Sequence, residues 1–148
     1  MSNLKTRSNL YETDFALWIE QTVQLLRSAK FEEVDWENVI EEIESLGRSE
    51  KRALRSQVTR IIMHLLKWDY QQSRRSNSWR GSIVEGRIQI KELLQDSPSL
   101  KPYLGDVLTK CYQDAVGWAS AETRLPIETF PVECPYSIDE ILVREILP

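Results

Sequence analysis

The chain has 148 residues, 41% of them hydrophobic, and a formal net charge of −4. This length is enough for one domain with its own hydrophobic core. Five Gly and six Pro, with few apolar–polar alternations, argue against a sheet protein. The two cysteines, Cys111 and Cys134, are too few for a disulfide scaffold, so we expect reduced thiols in a cytoplasmic protein. No apolar run reaches the ~18 residues that a membrane span needs, so we expect no membrane association.

Charge is segregated along the chain. Residues 1–46 carry four Lys and Arg against ten Asp and Glu, residues 47–91 carry eleven against three, and residues 92–148 carry four against ten. In one interpretation, the acidic helices fold back onto the basic ones and neutralise them. In the other, part of the basic segment stays exposed as a patch for an anionic partner. The sequence leaves both interpretations open.

In the first half of the chain, apolar residues recur at steps of three and four, which predicts helices with one buried apolar side each. Asp14 is the N-cap of a first helix. A second helix with an acidic side at 37–44 follows, and Gly47 ends it. Ser49 then caps a central helix, and its apolar stripe from Leu54 to Trp68 is expected to face the core.

The same spacing predicts two further helices. Ser76, Asn77 or Ser78 opens a fourth helix. Gly86 lies inside it, where glycine costs about 1 kcal/mol relative to alanine, so we expect a neighbouring helix to approach closely there. Ser97-Pro98, a cap followed by proline, opens a fifth helix.

Three prolines interrupt the helical pattern before the C-terminus. This Pro-rich segment is expected to cross the bundle in extended form, with Ile127, Phe130 and Tyr136 as anchors. Ser137 begins a capping box that opens a last short helix. The predicted fold is all-α: a single-domain bundle of five to six helices over residues 1–148, with residues 1–12 flexible or loosely packed.

Several runs of the sequence, in this order and at these spacings, carry a family resemblance. They are LYETDFALWIEQTVQLLR, VDWENVIEEIESLGRSEKR, MHLLKWDYQ, SWRGSI, SPSLKPYL and TRLPIETFPVECPYSIDEIL. The chain closely resembles the bacterial family catalogued as domain of unknown function 29, common in cyanobacteria. The hallmark segments correspond to Trp36–Lys51, His64–Trp68 and Ser78-Trp79, and the proline expected near position 72 is absent. The resemblance implies an all-helical cytoplasmic protein and implies no activity.

His64, the only histidine, is the centre of a weak candidate site for catalysis. Glu41 or Glu44 would meet it across a contact between the second and central helices, as in bundles that hold metals. A usable metal site normally needs three or more ligands, so no metal or cofactor is expected. Arg60 and His64 also suggest a helical nuclease, with histidine as general acid or base, but their spacing is one residue too short for the known motif.

The basic segment after the central helix is the main candidate binding site. Its residues are Arg74, Arg75, Trp79, Arg80 and Arg87, and guanidinium groups there could bind carboxylates or phosphates. In the alternative interpretation, Trp79 is a core anchor and the arginines belong to a solvated loop. The negative net charge argues against general coating of nucleic acid.

The sequence therefore favours a small, non-enzymatic helical protein that acts as a protein-binding or regulatory module through its basic segment. The partner would be an unidentified protein with an acidic face; nucleic acid is possible and less favoured. The alternative is a metal-dependent or hydrolytic, nuclease-like enzyme centred on His64 and the acidic helix 37–44. The oligomeric state is not specified by the sequence.

Overall fold

The computed structural model describes residues 10–147, and within them the chain is helical with no β-strand. The α-helices are α1 (Phe15–Arg27), α2 (Trp36–Tyr70), α3 (Asn77–Asp96), α4 (Lys101–Thr123) and α5 (Ile138–Val143). Residues 10–13 are helical as well, and short 3-10 turns occur between the longer helices. The predicted all-α fold is therefore confirmed. No helix in this part of the chain combines the length and apolar character that a membrane crossing requires.

Contacts within the chain define two compact units, one up to Arg48 and one from Ser49 onward. The single-domain prediction for residues 1–148 stays a prediction. Most of the segment 1–12, predicted to be flexible or loosely packed, lies outside the described residues. In its described part, the Tyr11 ring packs edge-on against Trp18 with ring centroids 4.8 Å apart.

The first unit has a small core. Asp14 caps α1, as predicted, by accepting a hydrogen bond of 3.1 Å from the Leu17 amide. Among the described residues of this unit, Trp18 and Val34 are the buried apolar side chains. Its exposed large apolar side chains are Phe15, Leu17, Ile19, Val23, Leu26, Phe31, Trp36, Ile40, Ile43 and Leu46. The prediction that the apolar sides of these helices are buried is wrong for most of their residues, because a periodic stripe does not guarantee a neighbour that covers it.

Helix α2 is continuous through Gly47, so the prediction of two separate helices is wrong. A glycine ends a helix in this way when it adopts a left-handed conformation. No glycine of the described residues has a positive φ. The residues on either side of Gly47 are mostly good helix formers, and Arg48 pairs with Glu41 about two turns earlier (2.7 Å). These contributions offset the cost of about 1 kcal/mol for an interior glycine.

The second unit has a substantial apolar core, and the later part of α2 supplies its centre. The predicted stripe from Leu54 to Trp68 is buried, which confirms that prediction. Its buried members are Leu54, Val58, Ile61, Ile62, Met63, Leu65, Leu66 and Trp68, and they cluster with buried residues of α3, α4 and α5. The histidine and lysine within the same run, His64 and Lys67, are also buried.

Gly86 lies where α3 approaches α2, as predicted. A Cβ atom at this position would lie 2.8 Å from Cγ1 and 3.2 Å from Cδ1 of Ile61, a fully buried side chain. We therefore expect Gly86→Ala to lower the free energy of unfolding by about 1–2 kcal/mol, because overpacking outweighs the gain in helix propensity. Gly81→Ala in the same helix has open space around its Cβ and should stabilise by up to about 1 kcal/mol. Urea denaturation of both variants measures the difference, and equal effects would contradict the close approach.

The start of α4 differs from the prediction. Ser97-Pro98 was expected to open this helix, but residues Pro98–Leu100 form a 3-10 turn and α4 begins at Lys101. The Ser97 hydroxyl instead donates to the Glu50 carboxylate at 3.0 Å. Because that hydroxyl is engaged with α2, it makes no capping hydrogen bond to the following turn.

The Pro-rich segment runs from Arg124 to Tyr136, mostly without regular structure, before α5. Phe130 and Tyr136 are buried and serve as anchors, as predicted. Ile127 is exposed, so its prediction as an anchor is wrong; it belongs to a 3-10 turn at the surface. The capping box at Ser137 is confirmed, with reciprocal hydrogen bonds to Glu140 of 3.1 and 3.2 Å.

Candidate functional site

The connection between α2 and α3 holds the candidate binding segment. The Gln71 amide donates to the Lys67 carbonyl (2.8 Å) as α2 ends, and residues Gln72–Arg74 form a 3-10 turn. Ser76 then caps α3 by accepting a hydrogen bond from the Trp79 amide (3.3 Å). The turn and the new N-cap are therefore formed as predicted.

Arg74 and Arg80 are the exposed cations of this segment. Neither side chain has a hydrogen-bond or ion-pair partner among residues 10–147. Arg80 lies at the rim of a pocket of about 520 Å³. The pocket is also lined by Trp68, Gln72, Arg75, Ser76 and Asn77. It therefore opens at the first turn of α3, where free backbone amides and the helix dipole favour negative charge.

Arg75 is held more firmly than its neighbours. Its Nε donates to the Trp68 carbonyl (2.8 Å), and its guanidinium carbon lies 4.7 Å from the centroid of a Trp68 ring. The first contact satisfies a carbonyl near the end of α2, and the second is a cation–π interaction. Arg75 is half-buried, and it fixes one wall of the pocket.

Arg87 has an internal role that the sequence did not reveal. Its Nε donates to the Ile141 carbonyl (2.8 Å), one terminal nitrogen donates to the Arg144 carbonyl (2.8 Å), and the other donates to the Glu140 carbonyl (3.1 Å). Arg87 thus satisfies carbonyls at the C-terminal end of α5. Burial, and then the charge of Arg144, lower the pKa of Arg87. All three guanidinium nitrogens are engaged, so this side chain is held toward α5 by internal contacts.

Trp79 is half-buried against the core of the second unit. The Lys67 ammonium lies 4.5 Å from the centroid of its ring and also pairs with Glu122 at 3.0 Å. These contacts agree with the alternative interpretation of Trp79 as an anchor. Charge neutralisation between helices also occurs at Arg60–Glu85 (3.1 Å), so the basic segment is neutralised in some places and exposed in others.

Asp69 is a second internal ion-pair site near the connection. Its carboxylate accepts two hydrogen bonds from Arg144 (2.7 and 2.8 Å) and one from the Tyr136 hydroxyl (2.7 Å). Burial alone would raise the pKa of Asp69, but the hydrogen bonds from Arg144 and Tyr136 lower it below the usual value. Since these partners lie 67 and 75 positions away, no local sequence signal could have predicted them.

The weak catalytic candidates do not come from two facing helices. Glu41, Glu44 and His64 all lie on the continuous helix α2, where 20 or more positions, over five turns, separate His64 from the two carboxylates, too far for side chains to meet. The premise of that site is therefore wrong. Glu41 and Glu44 pair with Arg48, at 2.7 and 3.8 Å. No group of three or more potential metal-binding side chains occurs among residues 10–147.

His64 is buried within the second unit, with 9% of its surface exposed. Its Nδ1 atom has no hydrogen-bond partner in the described part of the chain. Burial, and then the nearby charge of Lys67, lower the pKa of His64 to about 4. The imidazole is therefore neutral at pH 7, and its burial leaves it poorly placed to exchange protons with a substrate.

Comparison with known proteins gives one match. The model of the family described as Domain of unknown function DUF29 matches residues 10–147 of the chain. The resemblance read from the sequence motifs is therefore confirmed. Neither a search of curated proteins nor a search of solved structures found a match.

Proposed function

Because this chain belongs to the family of the domain of unknown function DUF29, whose name assigns no activity, we propose a function from the chain's own surface. The protein is a non-enzymatic module of the bacterial cytoplasm that binds, and thereby regulates, a partner protein. The partner presents an acidic segment to the pocket lined by Arg75 and Arg80, and Arg74, next to Arg75 in the sequence, is a second exposed cation for that segment. The observation that carries this proposal is the exposure of two unpaired guanidinium groups beside the first turn of α3.

The chemistry of the pocket suits carboxylates on a polypeptide. A guanidinium group offers a planar pair of N–H donors that matches a carboxylate, and Arg74 and Arg80 have both forks free. The free amides at the start of α3 would add to the attraction. Apart from Arg75 and Arg80, the lining residues are neutral: Trp68, Gln72, Ser76 and Asn77. A segment with two or more acidic side chains could therefore bind without meeting a competing charge inside the pocket.

The extent of this surface is smaller than the sequence suggested. Arg87 is excluded because its guanidinium group is held against carbonyls at the end of α5, and it does not line this pocket. Arg75 contributes one oriented wall of the pocket, whereas Trp79 packs against the core and does not line the pocket. Two free arginines and one oriented arginine remain, which favours a short acidic segment over a long polyanion.

A charge-reversal experiment tests the proposal. We expect Arg74→Glu/Arg80→Glu to remove the partner from proteins captured by affinity from a nuclease-treated bacterial extract. The control is Lys91→Glu/Lys101→Glu, two other exposed cations without partners among the described residues, which changes the net charge equally. For a captured protein, an acidic peptide from its sequence should bind the wild type at least about tenfold more tightly than the Arg74/Arg80 variant.

The outcomes separate clearly. A protein retained by the wild type and by the lysine control, but lost by the arginine variant, supports the proposal. The proposal is overturned if all three proteins capture the same set of partners. It is also overturned if the wild type captures nucleic acid and no protein from an extract that has not been treated with nuclease. Thermal melting of both double variants should match the wild type, since all four side chains are exposed.

A further inference from the structure

A second cationic pocket lies between α2 and α4, on residues that the proposed function does not use. Its volume is about 460 Å³, within the usual range for small-molecule sites. The lining combines four cationic side chains, Arg52, Arg55, Arg60 and Lys110, with one carboxylate, Asp114. We propose that this pocket binds a nucleotide, in which a phosphate chain meets the cations and a planar base stacks on Trp118.

Three of the cations come from a short stretch of α2. Arg52, Arg55 and Arg60 lie within nine positions of this helix, and all three line the pocket. The Ser56 hydroxyl, which has no partner among residues 10–147, lies between them in the lining. A row of guanidinium groups with an intervening hydroxyl supplies several donors to phosphate oxygens over two turns.

Three of the four cations are oriented by one contact each and keep further donors. Arg55 donates to the Tyr103 hydroxyl (2.6 Å), Arg60 pairs with Glu85 (3.1 Å), and Lys110 pairs with Asp114 (3.2 Å). Each guanidinium group has five N–H donors, so a single contact leaves most of them for a ligand.

The charge balance of the site favours an anion. Arg52 is exposed and has no partner in the described part of the chain. Even when Glu85 is counted with Asp114, the four cations of the lining face two carboxylates. This excess of positive charge favours a multiply charged anion over a neutral ligand.

The base of the pocket carries no competing charge. Cys111 is buried there, and its thiol contacts the Arg55 carbonyl at 3.6 Å. Burial raises the pKa of Cys111, although a hydrogen bond with Thr59 opposes this. The thiol therefore stays neutral at pH 7, and it offers a compact apolar surface beneath the cations.

Trp118 makes this pocket different from a simple anion site. Its side chain is 42% exposed, lines the pocket, and makes no ring contact or hydrogen bond with other described residues. It lies one turn beyond Asp114 on α4, at the end of the pocket away from Lys110. An exposed indole beside several cations matches a ligand that joins a planar ring to phosphates, because bases stack on aromatic faces.

Isothermal titration of the full chain with ATP tests the proposal. We expect sub-millimolar binding by the wild type, weakened about tenfold or more in Arg52→Gln/Arg60→Gln and about fivefold or more in Trp118→Leu. The affinity for tripolyphosphate should fall in Arg52→Gln/Arg60→Gln and stay unchanged in Trp118→Leu, because this ligand has no base. Adenosine should bind more weakly than ATP, because it lacks the phosphates.

The control variant is Arg74→Gln/Arg80→Gln, which removes the two exposed arginines of the proposed protein-binding surface, and neither of them lines the α2–α4 pocket. This variant should bind ATP with an affinity within about twofold of wild type. Because it alters only the proposed protein-binding surface, failure of the nucleotide proposal can be told apart from failure of the proposed function. Absence of ATP binding overturns the proposal. The proposal is also overturned if Trp118→Leu binds ATP as tightly as the wild type does. The same holds if the control variant loses as much affinity as Arg52→Gln/Arg60→Gln, since either result would show attraction to charge alone. Arg52→Gln is a milder second variant, and its side chain has no structural partner to lose.

Discussion

Replacing Arg87 with alanine should lower the free energy of unfolding by about 3 kcal/mol. The side chain donates hydrogen bonds to three carbonyls, those of Glu140, Ile141 and Arg144, and each bond to a half-buried charged donor contributes about 1 kcal/mol. These contacts join α3 to the C-terminal end of α5, so their loss should free the C-terminal segment first. Guanidinium chloride denaturation followed by circular dichroism measures the effect.

A matched variant in the same helix gives the reference for Arg87. Arg80→Ala removes an exposed arginine without a partner in the described residues, and it should change stability by no more than about 0.5 kcal/mol. Arg87→Lys should recover only part of the loss, because an ammonium group cannot reproduce a planar fork of three donors. Equal stabilities of Arg87→Ala and Arg80→Ala would contradict the capping role.

The second large effect concerns pH. The pKa of His64 is lowered to about 4 in the folded protein by burial and by the Lys67 charge, with a smaller lowering from Arg60 and an opposing effect of Glu122. The unfolded chain has a histidine pKa near 6.5. Between these values the unfolded state binds a proton that the folded state does not, so stability is full above about pH 6.5 and falls as the pH is lowered toward 4.

From pH 7 to pH 5, this difference should cost roughly 2 kcal/mol of stability. His64→Gln removes the titrating group. Between pH 7 and pH 5 the free energy of unfolding of this variant should therefore fall by about 2 kcal/mol less than that of the wild type, whatever the variant's stability at pH 7. Urea denaturation of both proteins at the two pH values gives the comparison. If wild type and variant lose the same amount, His64 is not the group responsible.

The sequence was sufficient for the core of the second unit. The steps of three and four from Leu54 to Trp68 identified a helix face, and that face is buried. Gly86 could also be interpreted from the sequence. A glycine inside a helix lowers its stability, so close approach of a neighbouring helix was expected there, and Ile61 makes that approach. Both signals are local, because the spacing of apolar residues and an interior glycine can each be read within one helix.

The failures come from information that is not local. Gly47 has the composition of a helix end, but a glycine ends a helix only when its backbone turns left-handed, and neighbouring residues do not decide that. Ile40, Ile43 and Leu46 are exposed. An apolar stripe therefore predicts the apolar face of a helix but does not predict whether another element packs against that face. Arg87 was assigned to a binding surface because its carbonyl partners lie 53 to 57 positions away in the sequence.

The candidate pockets were only partly predictable. Arg74 and Arg80 belonged to a segment of unusual arginine content, and their exposure agrees with that signal. The α2–α4 pocket was missed because its cations are spread over two helices that are distant in sequence. The spacing of Arg52, Arg55 and Arg60 on α2 was visible, but nothing in the sequence indicated that Trp118 would lie beside them.

The small core of the first unit has a consequence for fluctuations. With Trp18 and Val34 as its buried apolar side chains among the described residues, little free energy resists transient separation of α1 from the start of α2. Backbone amides there should exchange with solvent through frequent sub-global opening, whereas those between Leu54 and Trp68 should exchange through much rarer events. The chain would then behave as two cooperative folding units of unequal strength, and proteolytic nicking would begin near the turn at Phe31–Glu33.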